Sequence, residues 1–493
     1  MLSAVHNHVN LLYNILNTMK TILFTLIFVL GFHMLNAQHT HFQSSEYEYP
    51  EIPEVREKLE QWRDQKFGII IHWGIYAVPG IIESWSICSE DWIGRDSTIT
   101  YENYKRWYFD LAKEFNPVKF DPDQWAAAAA DAGMKYLVFT TKHHDGFCMF
   151  NTRETDYSIA KGPFQNHPKA DAAKYVFDAF RKKGLMIGAY FSKPDWHSQY
   201  YWWDKYATAD RNNNYDIRKN PWRWDQFKKY TFNQIDELMR NYGSIDILWL
   251  DGGWVRPLST VTDEVRSWGA RIPEWDQDID MPRIAANART LQPGLLVVDR
   301  TVHGEYENYQ TPEQRIPEKQ LDYPWESCIT LGHAWGWVPN QQYKPTRQII
   351  HSLVEIVAKG GSLLLGVGPT AEGEFPTEVN KYLKEIGEWT NRNGKAIYHT
   401  RNAKHYNDGN TWFTQSKDAK KLYAIYCPDE GTRLPAQIEW NGNEPAKGSK
   451  VILLHTGKEI KWKTKAGKTT LFLPKGLPAN LPALAFEIHV ANQ

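Results

Sequence analysis

Short apolar runs alternate with amphipathic segments through most of this chain, and each run ends on polar residues. VREKLEQWRDQK from Val55 has helical spacing and stops just before FGIIIHWG, an apolar run that suits a strand buried on both faces. DPDQWAAAAADAG from Asp121 offers a capping Asp and a Gly stop at Gly133, followed by KYLVFTT and the polar loop KHHDG. DAAKYVFDAFRKKG, ending at Gly184, precedes LMIGAYFS, and WDQFKKYTFNQIDELMRNYG precedes SIDILWLDG. A turn at Gln292-Pro293-Gly294 leads into LLVVDR, and a helix from Gln348 to Lys359 leads into GSLLLGVGP. At least six helix-then-strand units over roughly 320 residues predict an α/β fold, a (β/α)8-like barrel with long loops. A doubly wound sheet is the alternative, but no Gly-rich turn follows the first strand.

From about Asn393 the texture changes. TWFTQS, KKLYAIYC, VILLHTG, KEIKWKT, TTLFLP and ALAFEIHV are separated by turn residues with no intervening helix, which predicts an all-β C-terminal sandwich with lysine-protected edges. At the other end, MKTILFTLIFVLGFHMLNAQ from Met19 has the layout of a secretory signal peptide with a cut after Ala37. The expected division is therefore 1–37 upstream extension and signal, 38–392 catalytic barrel and 393–493 sandwich. Export to the periplasm or the medium follows, with no stable membrane span once the signal is removed.

Composition removes several classes of function. Lys plus Arg is 57 and Asp plus Glu is 58, a formal charge of −1, so no polyanion is called for and nucleic acid is not an expected partner. Hydrophobic residues at 42% and charged residues at 23% exclude disorder as the main state. The four cysteines form no CxxC pair, which argues against a zinc or iron–sulfur site and suits free, buried thiols. Trp is over-represented at 22 residues, and Trp faces stack well on sugar rings.

The chemistry gathers at predicted strand ends. Asp251 ends the apolar run LWLD, and a carboxylate placed there is costly unless strongly hydrogen-bonded, so it is either a nucleophile or base or part of a structural network. His72-Trp73, His143-His144-Asp145, Tyr190-Phe191 with Asp195-Trp196, Asp299-Arg300 and the acidic stretch Glu305, Glu307 and Glu313 point to the same barrel mouth. Two histidines beside an aspartate invite a metal, but neighbouring residues of an extended strand point oppositely unless the chain turns there. Hydrogen bonding to sugar hydroxyls suits neutral imidazole better. No GxSxG elbow, HExxH, phosphate loop or dinucleotide fingerprint is present. Hydrolysis without metal or cofactor remains, and cleavage of a glycosidic bond needs two carboxyl groups and little else.

The segments WRDQKFGIIIHWGIYAVPG at Trp62, YLVFTTKHHDGFCMFNT at Tyr136, GAYFSKPDW at Gly188, ILWLDGGW at Ile247, VVDR at Val297, PWESCITLGHAWGW at Pro324 and LLLGVGPTAEGEFP at Leu363 resemble glycoside hydrolase family 29, the α-L-fucosidases. The resemblance covers nearly the whole mature chain and implies a catalytic barrel followed by a β-sandwich. It implies Asp251 as the nucleophile and Glu313 as acid/base, with Glu326 as runner-up and Glu305 and Glu307 behind it. It further implies a sugar pocket of His72, His143, His144, Tyr190 or Phe191, Trp249 and Arg300, with Glu83 and Trp85 in an uncertain register, since the usual Glu-Trp reads Glu83-Ser84-Trp85. The C6 methyl would meet Trp249, Trp85 or Phe147. Where the family has Leu-Leu-Asn, this chain has Leu364-Leu365-Gly366, which removes a side-chain donor. The implied partners are fucosylated oligosaccharides or glycoconjugates, and an oligomer is compatible. The Trp-rich loops at Tyr200 and Gly332 resemble the branch that prefers α1,3 or α1,4 linkages on branched glycans, with broader specificity or an α-L-galactoside as alternatives. A glycan-binding protein without catalysis is the non-enzyme reading.

Overall fold

The computed structural model describes residues 47–90, 93–269 and 271–489, so the expected extension and signal at 1–37 lie outside the described residues. Seven strands form one parallel sheet: β1 (Phe67–Ile71), β2 (Tyr136–Lys142), β3 (Met186–Ser192), β4 (Ile247–Asp251), β5 (Leu296–Asp299), β6 (Glu326–Thr330) and β7 (Ser362–Val367). Their order is β5-β4-β3-β2-β1-β7-β6. Because side chains alternate, one face carries Ile70, Val138, Tyr190, Trp249, Val298 and Leu364 into an inner cluster. The other face packs Ile69, Leu137, Phe139, Leu248 and Leu250 into the larger cluster that includes the flanking helices. Burial on both faces explains why these strands read as unbroken apolar runs.

The helices start and stop as their sequences direct. Asp121 accepts a hydrogen bond from the Asp123 N–H at 3.2 Å, Pro122 opens the helix Pro122–Asp131, and Gly133 leaves it at φ 89°. The helix Pro53–Gln65 closes the floor of the barrel. Its Val55, Leu59 and Trp62 join the inner cluster, and Trp62 stacks on Tyr309 with ring centroids 3.9 Å apart.

The edge strands β5 and β6 are joined by residues 306–314, which form an irregular eighth stave. On the β5 side the Asp299 N–H donates to Tyr306 O at 2.8 Å and the Asn308 N–H to Val297 O at 2.9 Å. On the β6 side the Glu326 N–H donates to Gln310 O at 2.8 Å, the Cys328 N–H to Pro312 O at 3.1 Å and the Gln314 N–H to Cys328 O at 2.9 Å. Pro312 cannot donate to a ladder, which keeps this stave from becoming a regular strand.

Beyond Thr400 the chain is antiparallel, in a six-stranded and a three-stranded sheet. Their shared core includes Phe413, Ala424, Ile438, Trp440, Leu471 and Phe486. Thr400–Asp408, which has few apolar residues, and Gln437–Asn441, whose alternation lasts only five residues, are two further strands. The four cysteines are buried and free. Among the described residues no helix is long and apolar enough to cross a membrane.

Asn308 pins the irregular stave. Its Oδ1 accepts from the Val297 N–H at 2.9 Å and from Arg289 at 3.2 Å, and its Nδ2 donates to Glu305 O at 3.1 Å. Asn308→Ala leaves the Val297 amide without its partner and is expected to lower the unfolding free energy by about 1–3 kcal/mol. Urea titration measures this; a change below about 0.5 kcal/mol would mean that the closure does not depend on this side chain.

Candidate active site

Parallel register brings the polar strand ends together. Tyr190 of β3 lies opposite Trp249 of β4, and Ser192 opposite Asp251. The Tyr190 hydroxyl donates to Asp251 Oδ2 at 2.7 Å, while Phe191, on the other side of β3, lies 4.2 Å beneath the Lys142 ammonium. Asp251 Oδ1 accepts from the Gly252 N–H and from Arg300 Nη1, each at 2.8 Å. Burial alone would raise this carboxyl, but Arg300, Tyr190 and the Gly252 amide outweigh it and hold Asp251 well below the usual carboxylate range.

Arg300 continues to the second acid. Its Nη2 donates to Glu313 Oε2 at 2.9 Å and its Nε to Thr311 Oγ1 at 3.0 Å, while the guanidinium carbon lies 4.4 Å from the Trp249 ring. Glu313 stands on the irregular stave, and its Oε1 accepts from Trp335 Nε1 at 3.3 Å. Asp251, Arg300 and Glu313 are thus one connected unit. Glu305 and Glu307 are not part of it. Glu307 accepts from the Thr301 N–H at 2.9 Å and pairs with His303 at 2.6 Å, and Glu305 is exposed with Arg289 at 3.9 Å.

Glu326, at the start of β6, is fully buried inside the barrel. It accepts from the Tyr136 hydroxyl at 2.6 Å and from Trp249 Nε1 at 3.2 Å, so it holds the indole on which Arg300 lies. Burial pushes its carboxyl up to about 7.

The histidines form the opposite wall. The register of β2 on β3 shifts between Thr140 and Lys142, and the Gly146 N–H returns to His143 O at 3.0 Å. The chain therefore turns where an extended strand would have separated the two side chains. The His143 and His144 rings lie 4.3 Å apart. Gly146 has φ 79°, and a Cβ there would come within 2.1 Å of Asp195 Oδ1. His143 Nδ1 bonds Ser84 Oγ, and His144 Nδ1 bonds Ser192 Oγ at 2.8 Å, leaving His144 Nε2 3.8 Å from Asp251 Oδ2. His72 lies against Trp335 at 5.0 Å and His143 at 5.6 Å. Among the described residues no group of three or more His, Cys, Asp and Glu side chains has metal-binding geometry.

Glu83 and Trp85 flank this wall. The Gly336 N–H donates to Glu83 Oε1 at 2.7 Å, and burial pushes the Glu83 carboxyl up to about 7. Trp85 sits 5.2 Å from His144 and 5.7 Å from Trp254. Phe147 packs instead against Phe115 and Tyr157. Buried His72 Nδ1, Tyr76 Oη and Glu83 Oε2 have no hydrogen-bond partner among the described residues. This arrangement offers an ionised carboxylate, a second acid across one guanidinium, and neutral donors and acceptors among aromatic rings.

Trp335 is the main residue that the sequence did not single out for this pocket. It touches His72 and Glu313, and it fits because a Cβ at Gly366 would come within 2.7 Å of its ring. The motif departure at Gly366 was the available signal. Ser84 and Ser192, the partners of the two histidines, were missed because an isolated serine carries none.

The family model for alpha-L-fucosidase matches residues 34–395. Plasma alpha-L-fucosidase of Rattus norvegicus is 28% identical over 451 residues, 87% of this chain and 89% of the relative. Alpha-L-fucosidase isoenzyme 1 from Paenibacillus thiaminolyticus superposes with a TM-score of 0.71 at 31% identity, over 89% of this chain and 100% of that one. The alpha-fucosidase of Thermotoga maritima in complex with fucose gives a TM-score of 0.67 at 26% identity, over 90% and 99%.

Burial pushes His72 down to about 3 and His143 down to about 4, and it pushes His144 down as well. Because each folded value lies below the free imidazole value of about 6.5, all three stay neutral when free histidine protonates. Their imidazole ¹⁵N shifts should hold constant from about pH 8 to about pH 5, whereas a mid-range titration of any of them would show that solvent reaches the wall.

Proposed function

Because this chain belongs to the alpha-L-fucosidase family and hydrolyses α-L-fucosides, we propose that it is an exo-acting, retaining enzyme that prefers α1,3- and α1,4-linked fucose on branched glycans. Asp251 attacks the anomeric carbon as Glu313 donates a proton to the departing oxygen. A covalent fucosyl-enzyme forms, and Glu313 then takes a proton from the water that releases fucose. The observation that carries this reading is the Arg300 fork, 2.8 Å from Asp251 and 2.9 Å from Glu313. One guanidinium spanning both acids fits the close spacing of a retaining pair, about 5–5.5 Å, better than the wider gap of an inverting one. The Thermotoga maritima enzyme has also been solved with a mechanism-based inhibitor.

The ionised Asp251 is ready to attack without a base. Neutral His72, His143 and His144, with Glu83 beside them, supply hydrogen bonds to the fucose hydroxyls. The buried atoms of His72, Tyr76 and Glu83 that lack a partner among the described residues support this, since a buried polar atom left unpaired is costly and substrate can complete it. Trp85 and Trp335 offer apolar surface to the C6 methyl, and a hydroxyl on that carbon would be resisted by only about 1–3 kcal/mol. Catalysis belongs to 38–392 in this reading and bracing to the sandwich at 393–493. The signal at 19–37 would export the protein to the periplasm or medium, which agrees with the plasma relative's name.

Asp251→Asn is expected to cut turnover of an aryl α-L-fucoside by at least about a thousandfold while leaving the folded fraction unchanged. Glu313→Ala should cost about 10²–10⁴-fold on oligosaccharides and much less on an aryl fucoside, whose leaving group needs no proton. Proton NMR should show α-fucose as the first product; the β anomer first would overturn retention. Faster hydrolysis of linear α1,2-fucosides than of branched α1,3/1,4-fucosides would overturn the linkage preference.

A further inference from the structure

Ser192, the last residue of β3, borders the histidine wall, and its own partners locate its hydroxyl proton. Its Oγ lies 2.7 Å from Pro194 O and 2.8 Å from His144 Nδ1. A carbonyl oxygen can only accept and a hydroxyl carries one proton, so Ser192 donates to Pro194 and has only a lone pair left for His144. His144 Nδ1 is then the donor. In a neutral imidazole the proton on one nitrogen leaves the other an acceptor, so Nε2 turns a bare lone pair toward Asp251. Ser84 bonds His143 Nδ1 with no second acceptor among the described residues, and it fixes no such direction.

The arrangement is held from several sides. The Trp196 N–H donates to His144 O at 2.7 Å, so the segment after β3 ties His144 by its backbone as well as its ring. The buried ring stands among Trp254 at 5.1 Å and Trp85 and Trp196, each at 5.2 Å. Burial and the neighbouring His143 and Arg211 oppose a positive charge on it more than Asp251 favours one. Pro194 can approach because Gly252, at φ 89°, has no side chain; a Cβ there would lie 2.2 Å from Pro194 Cδ. The same glycine gives its N–H to Asp251 Oδ1, so one turn serves both the nucleophile and the serine's acceptor. A proton on Nε2 instead would require Ser192 to turn its own proton to Nδ1 and leave the buried Pro194 carbonyl unpaired. Its return would be an N–H···O contact at 3.8 Å, too long for a hydrogen bond.

We infer that Ser192 is a positioning residue that fixes His144 as an obligate acceptor, so that Nε2 accepts a hydrogen bond from a hydroxyl of the bound sugar and offers none to Asp251. Two acceptors 3.8 Å apart call for a donor from outside the protein, and a sugar hydroxyl is one. Asp251 gains as well. Among the described residues its Oδ2 accepts from Tyr190 alone, whereas Oδ1 accepts from Gly252 and Arg300. A further N–H on Oδ2 would draw off the electron density with which that oxygen attacks the anomeric carbon. The sugar's part in this rests on the hydrolase reading of the site, while the tautomer rests on the hydrogen bonds alone.

Long-range ¹H–¹⁵N spectra of the ¹⁵N-histidine-labelled full chain at about pH 8 read the tautomer without substrate, with His144 assigned by its loss in His144→Gln. Wild type should show a protonated, pyrrole-type Nδ1 and a bare, pyridine-type Nε2. A protonated Nε2 in wild type overturns the inference, whatever any variant does. In Ser192→Ala the proton should move to Nε2, and kcat/KM on an aryl α-L-fucoside should fall by about 10- to 100-fold, with part of the loss in kcat. Ser192→Thr, which keeps the hydroxyl, should hold the wild-type tautomer and come within about threefold of the wild-type rate. An unchanged tautomer in Ser192→Ala, or equal rate losses in the Ala and Thr variants, would reduce Ser192 to packing and overturn its role. Wild-type turnover of the same fucoside checks the hydrolase reading separately, so a failure there is distinguishable from a wrong tautomer.

Discussion

One guanidinium holds two carboxyl groups in a largely buried space, and much of the molecule is arranged around that constraint. The Arg300 side chain is 4% exposed, with Asp251 at 16% and Glu313 at 12%. Removing such groups from water costs several kcal/mol per ion unless each is bonded on several sides. Arg300 meets this with Asp251, Glu313 and Thr311 at its nitrogens and Trp249 against its face. Asp251 adds bonds from Tyr190 and the Gly252 amide. With the cation shared, further charge nearby is expensive. Burial raises the Glu83 and Glu326 carboxyls and lowers the surrounding imidazoles. The pocket accordingly presents one strongly ionised acid against a mostly neutral lining.

Strand geometry makes that lining reproducible. Alternation sends Tyr190 and Ser192 to the pocket and Phe191 and Lys193 away from it. Lys193 then pairs with Asp299, both essentially buried, while its N–H donates to Asp251 O at 2.9 Å. Lys142 pairs with Asp195 at 3.2 Å behind the histidine turn. Such buried pairs are weak arguments for stability. Losing one partner, however, strands a charge at about 3–5 kcal/mol, which penalises any rearrangement of the turns they support.

The barrel and its chemistry were legible to different depths. Asp251 could be found because a carboxylate ending an apolar strand is anomalous in sequence and is also part of the W-x-D-G match. The strand-end histidines were legible as a group. Their convergence was not, because it depends on a register shift and a glycine turn that alternation rules do not anticipate. Glu313 stands on a stave that lacks strand periodicity and carries Pro312, so only the family resemblance marked it. Glu326 has the sequence context of an active acid, yet tertiary pairing puts it beneath Trp249. Burial is decided by which strand end a residue occupies, and WESC alone does not say where β6 begins.

Gly366 shows how a departure from a motif can be an exchange rather than a loss. Against the family's Leu-Leu-Asn, the glycine deletes a side-chain donor at β7. In the folded chain the vacated space is filled by the Trp335 ring, within 2.7 Å of where a Cβ would stand. A side chain at 366 and an indole at this place exclude each other. Trp335 brings its own donor, Nε1, to Glu313 Oε1 at 3.3 Å, and its ring to His72 at 5.0 Å. Its neighbour Gly336 donates to Glu83. A donor absent from β7 is thus matched by one arriving from the loop after β6, directed at the acid on the irregular stave. The substitution at Gly366 and the tryptophan 31 positions before it are one structural feature, readable only when both are placed on the same wall.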